Sequence, residues 1–181
     1  MMPRIREMIL ELCKNQKWDW KGHIESVVNY SKALSKKYGA DQEVCELAAW
    51  LHDIKKLRGN DEKHHIFGAE EAEQILRSFG YSEKKIVLVK NCILKHSFDK
   101  SLEPESTEEK ILSTADALTH FDNFLGLAHH IYSIANYSCS DGREWLIKKY
   151  RSEWDKIKFP EEKEITKQKY AAIKSILGEQ N

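Results

Sequence analysis

Apolar side chains recur along this chain at intervals of three and four residues rather than at alternate positions, so the pattern predicts helices throughout and no strand. Pro3 suits a first turn, and Ile5, Met8, Ile9 and Leu12 then share one face. Asp19 is placed to cap a second helix that Gly39 ends, and Asp41 to cap a third that stops near His52-Asp53. The charged stretch from Lys55 to Lys63 reads as a loop. Gly68 to Phe79 reads as a fourth helix closed by Gly80, and Ser82 as the cap of a fifth reaching about His96, with loop following through Pro104. Ser106-Thr-Glu-Glu109 has the form of a capping box and opens a sixth helix that continues past Asp116 toward His130. Asp141-Gly-Arg-Glu144 has the same form and opens a helix containing Trp145, Tyr150 and Trp154. Phe159-Pro160 introduces a last helix ending near Leu177. The expected fold class is all-α, without internal repeat or low-complexity tract.

The third helix departs from the amphipathic pattern. From Val44 to Leu51 only Glu46 is polar, so the segment belongs in a core, and it ends on His52-Asp53. An imidazole and a carboxylate carried into a core are costly unless each finds a partner, and a bound cation serves both. A lone His-Asp pair is a common chance event in a chain with eight His and nine Asp. Other ionisable residues also fall on apolar faces, however. His23 shares a face with Val27, Tyr30 and Leu34; His96 follows Ile86, Val89 and Ile93; Asp116 lies among Leu112, Ala115 and Thr119. Each alone has an ordinary reading, since a buried His can donate to a carbonyl and a buried Asp can pair with a Lys. Together, His23, His52, Asp53 and Asp116 offer two imidazoles and two carboxylates, a set that suits a borderline divalent metal. His64 and His96 would allow a second ion, with Asp53 giving one oxygen to each. Two such ions, about 3.5–4 Å apart, can clamp a phosphoryl group during in-line attack.

Lys55, Lys56 and Arg58 follow the dipeptide directly. A cation there could hold a phosphate oxygen; a solvated charged loop is the competing reading. His120, one turn after Asp116, has two readings, a contact to substrate or an ordinary helix-surface pair, of which we adopt the second; His129-His130 read as packing or solvent-facing residues.

Charge narrows the partners. Lys and Arg total 29 and Asp and Glu total 29 in 181 residues, so no basic field exists to attract a nucleic acid polymer or an anionic membrane. No run approaches the roughly 18 apolar residues of a membrane span, and the opening Met-Met-Pro-Arg-Ile-Arg-Glu-Met lacks a signal peptide's apolar stretch, so a cytoplasmic location is expected. Cys13, Cys45, Cys92 and Cys139 include no Cys-x-x-Cys and read as small core residues.

The ordered set of His23, "LHDIKK" around His52-Asp53 and "STADAL" around Asp116 resembles the HD-domain superfamily of metal-dependent phosphohydrolases, over roughly residues 20 to 125. Its dinuclear branch adds two histidines, the first usually four residues before Gly-Ala. "HHIFGAEEA" matches through His64 rather than His65, and "ILKHSF" through His96. Lys55 stands where the family often has Gly, while Lys56 agrees. The resemblance implies a helical bundle forming a single domain over 1–181, with an HD-like core at about 20–125 and a C-terminal helical extension at about 141–178. It implies hydrolysis of a phosphate ester of a small phosphorylated metabolite or nucleotide through a metal-bound hydroxide. The ligands would be His23, His52, Asp53, His64, His96 and Asp116, holding one or two divalent ions (Mn, Fe, Co, Ni, Zn or Mg). Asp53 would be ligand and bridge, Lys56 an electrostatic aid to catalysis, and Lys56 with Arg58 the substrate's phosphate contacts. Two other readings share the scaffold: a di-iron oxygenase, and a nucleotide-binding module without turnover. Trp145, Tyr150 and Trp154 lie beyond the matching region and have three readings: packing on the core, covering the pocket, or joining subunits of a homodimer. Core packing is the one we adopt.

Overall fold

Two aspartates set the first helix boundaries as their positions require. Asp19 Oδ1 accepts from the Gly22 amide at 2.9 Å, and Asp41 Oδ1 accepts from the amides of Glu43 and Val44 at 3.0 and 3.1 Å. Between them Gly39, at φ +67°, turns the chain in the left-handed region that a side chain would disfavour. The computed structural model describes residues 1–14, 16–59, 62–97 and 101–179. Its helices are α1 (Met2–Cys13), α2 (Trp20–Tyr38), α3 (Gln42–Leu51), α4 (Ile54–Leu57), α5 (His64–Ser78), α6 (Glu83–Lys95), α7 (Thr107–Asp122), α8 (Phe124–His129), α9 (Cys139–Lys156) and α10 (Pro160–Ile176). A π-helical turn, His130–Ile134, follows α8. The fold is all-α, with no strand among the described residues.

Helix α3 runs through the middle, against α1, α2, α6 and α7. Every residue from Val44 to Leu51 except Glu46 is buried. Each buried Leu or Val there stabilises the fold by about 1.5–3 kcal/mol, which holds the end of α3 rigidly in the interior. The apolar cluster continues without a break from Ile5 in α1 to Leu177 after α10. Tyr150 is buried in this core with its ring tilted against Phe121 and Phe124, and Trp145 and Trp154 pack against it, Trp154 stacked on Tyr170 at 4.7 Å, so all three C-terminal aromatics pack on the core as expected. No described helix is long and apolar enough to cross a membrane.

Several expected boundaries move. Ile54 and Leu57 are both buried and fold the start of the charged stretch into α4 rather than loop; residues 60–61 of that stretch, like 98–100 of the later loop, lie outside the described residues. Helix α5 begins at His64, four residues before Gly68, on a turn in which Lys63 takes φ +50°. Ser106 and Glu109 do form the capping box, but α7 stops at Asp122. Asn123 leaves helical geometry and its side chain accepts from the Gly126 amide at 3.1 Å, starting α8 anew. The cap of α9 is Ser138, whose Oγ accepts from the Asp141 amide at 3.1 Å; Asp141 is thereby the acidic third residue and not the cap. Ser82 precedes α6 without a capping hydrogen bond from its side chain. Cys45 and Cys92 are buried as expected, whereas Cys139, at the start of α9, is exposed.

Candidate metal centre

The chain reaches one point from five helices. His23 lies in the first turn of α2, His52 closes α3, Asp53 stands at the junction with α4, His64 opens α5, His96 closes α6 and Asp116 sits in the middle of α7. All are buried except His64, which is half-buried. Asp53 is the hub. Its Oδ2 lies 3.7 Å from His23 Nε2 and 3.4 Å from His52 Nε2, while its Oδ1 lies 3.7 Å from the Nε2 atoms of both His64 and His96. Each oxygen thus faces a different histidine pair. Asp116 Oδ1 closes the first group, 3.4 Å from His23 and 3.9 Å from His52.

These residues fit a divalent cation. Two donors held about 2.1 Å from one ion at tetrahedral or octahedral angles lie about 3.0–3.4 Å apart, close to the separations seen. His23 Nε2, His52 Nε2 and Asp116 Oδ1 are buried and have no hydrogen-bond partner among the described residues. Each such atom costs about 1–3 kcal/mol unless something satisfies it. The ligand atoms of His23, His52 and Asp53, and of Asp53, His64 and His96, all lie within 4.8 Å of one another in each group.

Hydrogen bonds behind the ligands select the tautomer. A carbonyl oxygen only accepts, so His52 Nδ1 donates to Ala49 O at 2.8 Å and His96 Nδ1 donates to Ile93 O at 2.6 Å. In the neutral rings the Nε2 lone pairs then face Asp53, the orientation a metal ligand needs. Burial pulls the His23 pKa down to about 4 and lowers that of His96 too, which keeps both rings neutral near pH 7. At His52 burial is the largest single influence and acts the same way, but the charge and hydrogen bond of Asp53, the Asp116 charge and the Ala49 carbonyl together exceed it and the net shift is upward. Burial opposes ionisation of Asp53, yet Lys56 and His52 hold it well below the usual carboxylate range. At Asp116 burial is likewise overcome, chiefly by Lys156.

Of the three cations after the dipeptide, Lys56 turns to the centre, with Nζ 3.0 Å from Asp53 Oδ1. Lys55 and Arg58 instead pair with Glu71 at 2.7 and 2.6 Å, and Arg58 does not line the cleft described below. His64, not His65, supplies the nitrogen facing Asp53.

Helix α9 contributes residues that local sequence reading passes over. Lys156 is buried and donates to Asp116 Oδ2; it also lies 3.2 Å from Glu153. Glu153 in turn faces His120 Nδ1 at 3.5 Å and Lys149 at 2.6 Å. His120 is not a surface residue. It is buried, donates Nδ1–H to Asp116 O at 3.0 Å, and its ring centre is 5.0 Å from that of His23. The sequence did carry one signal: Glu153 continues the buried stripe of Gly142, Leu146 and Tyr150 at helical spacing. A cleft of about 290 Å³ opens beside the centre, where Lys56, His64 and His120 share the lining with Trp18, Trp20 and Trp145.

Comparison with known proteins identifies the family and the fold. The family model for the HD domain matches residues 21–120. The bifunctional uridylyltransferase/uridylyl-removing enzyme of Acinetobacter baylyi is 30% identical over 111 residues, which cover 59% of this chain and 12% of that protein. The enzyme of the same name from Erythrobacter litoralis is 46% identical over 55 residues, 30% of this chain and 6% of its own length. The chain therefore spans only about an eighth or less of these curated relatives. Among solved structures, Bacillus subtilis YpgQ superposes with a TM-score of 0.71 at 20% identity, covering 98% of this chain and 91% of that one. The structure of YpgQ in complex with ADP gives a TM-score of 0.71 at 19% identity, covering 98% and 94%. A predicted HD superfamily hydrolase from an uncultured Thermotogales bacterium gives 0.64 at 20% identity, covering 97% and 88%.

Proposed function

This chain belongs to the HD-domain family, and on that premise we propose that it is a metal-dependent phosphohydrolase cleaving a phosphate ester of a small metabolite or nucleotide. The observation that carries the reading is Asp53, whose two oxygens face separate histidine pairs, as a carboxylate shared between two ions requires. The candidate ligands are His23, His52, Asp53 and Asp116 on one side and Asp53, His64 and His96 on the other. Divalent ions bound there would supply Lewis acidity and bring the pKa of water toward neutrality.

The chain's own residues supply the rest. Backbone carbonyls hold the rings of His52 and His96 in one tautomer, so little reorganisation is needed when substrate arrives. Lys56, beside Asp53, is positioned to balance the charge of a phosphate oxygen. Lys156 fixes Asp116 from the far side, which makes α9 part of the same working unit as α2 to α7. Phosphate chemistry is favoured over oxygen activation by two of the similar proteins, one a uridylyltransferase/uridylyl-removing enzyme and one solved in complex with ADP.

The experiment is phosphate release from a panel of nucleotides and model esters with added Mn, Co, Ni, Mg or Fe. Turnover that depends on metal supports the proposal; inactivity with every metal and ester contradicts it.

A further inference from the structure

Three of the chain's five tryptophans surround one small cleft, and all three lie outside the segment that matches the HD-domain model. Trp18 and Trp20 stand at the entry to α2 with their rings edge to face, 4.5 Å between centres. Trp145 comes from α9. In that helix Trp145, Lys149, Glu153 and Lys156 follow at steps of four, four and three and so share a face. The inner half of the face is committed to the centre, Lys156 to Asp116 and Glu153 to His120. The outer half, Trp145 and Lys149, lines the cleft. Unlike Tyr150, which is sealed in the core, Trp18, Trp20 and Trp145 are only partly buried. The indole N–H of Trp18 is itself buried with no acceptor among the described residues.

Indole faces at this density bind planar rings, because stacking rewards any π-face regardless of its substituents. At about 290 Å³ the cleft sits at the lower end of the range for small-molecule sites, with room for one ring system and what is attached to it. We propose that the cleft formed by Trp18, Trp20 and Trp145 is a specificity subsite for the planar aromatic ring of a mononucleotide-sized phosphate ester, whose phosphate lies toward Lys56 and His64. This deepens the phosphohydrolase reading and rests on it. The shared ligands perform the reaction, and the tryptophans outside the family match choose which ester reaches them.

The test is calorimetric titration of the full chain, loaded with Mn, with the four ribonucleoside 5′-monophosphates and with ribose 5-phosphate, which carries a hydroxyl in place of the aromatic base. Phosphate release is measured in parallel. At least one nucleotide is expected to bind fivefold or more tighter than ribose 5-phosphate, the low end of what one stacked base contributes. Trp145→Leu is expected to reduce that ratio at least threefold, and Trp145→Phe to retain most of it. Should a Trp145 variant fold poorly, Trp20→Leu reads the same ratio, and the wild-type comparison needs no variant. A preference below fivefold for all four nucleotides, or a ratio untouched in folded variants, overturns the subsite. Ring preference without turnover under any metal instead overturns the hydrolase reading while leaving the subsite standing.

Discussion

Lys156 and Asp116 form a buried ion pair across forty residues of chain, with the ammonium on Oδ2 while Oδ1 remains facing His23 at 3.4 Å. A single carboxylate is thus divided between a structural cation and the candidate metal centre. Removing the cation leaves a buried charge without its partner. Lys156→Met should therefore destabilise the metal-free protein by about 3–5 kcal/mol in urea unfolding. Adding Asp116→Asn should recover much of that loss, because the pair and not each side chain is the unit. Strict additivity of the two variants would contradict the assignment.

His23 makes stability depend on pH. Burial holds its native pKa down to about 4, whereas the unfolded chain titrates near 6.5. Between these values the unfolded state carries the proton and the native state does not, so native stability falls as pH drops from about 6.5 toward 4, by up to about 3 kcal/mol. Asp53 and Asp116, both lowered, act in the same direction once the pH falls below the ordinary carboxylate value. His52 is raised and opposes them: its contribution is full below 6.5 and fades as pH rises through its native value. Chelator-treated protein should melt lower at pH 4.5 than at pH 7, and His23→Gln should flatten the difference. A flat or inverted profile in the wild type would count against the burial of a neutral His23.

Metal should stabilise the native chain, since the ligand atoms meet only in the folded state. An ion at a hundred times its Kd adds about 2.7 kcal/mol. Dialysis against EDTA should then lower Tm by about 5 °C or more for a chain of this size, reversibly on returning Mn. An unchanged Tm after complete removal of metal would show that the orphaned atoms are satisfied some other way.

Lys56 is the one cation of its segment beside Asp53, so Lys56→Ala should lower kcat on a phosphate ester about 10²-fold, as loss of a single charge-stabilising donor does elsewhere. Arg58→Ala, which removes a partner of Glu71, should change kcat less than threefold. Equal losses in steady-state assays would erase the distinction drawn between them.

Much of this arrangement was legible because it is written in local periodicity. His23, His96 and Asp116 betray themselves as polar residues on apolar faces, and the caps Asp19, Asp41 and Ser106 are one-residue chemistry. The α7–α8 break was not legible: it turns on whether Asn123 caps or continues a helix, which apolar spacing does not decide. Likewise Asp141-Gly-Arg-Glu144 satisfies the box pattern, but Ser138 offers a hydroxyl three residues earlier and wins. Lys156 and Lys149 lie in a helix dense with charge, where each reads as solvated. Only tertiary packing shows that one finds a carboxylate forty residues back and the other a cleft. His120 was misjudged for the same reason, since the helix covering it comes from outside the segment that carries the motif.

The most direct test is metal content per chain by plasma emission spectroscopy, on protein purified without chelators or a nickel-binding tag, for the wild type and for Asp53→Asn. The account predicts close to two divalent ions in the wild type and close to none in the variant, because one carboxylate faces both histidine pairs. A wild type that binds no metal under any loading condition, or an Asp53→Asn protein that keeps both ions, would contradict it.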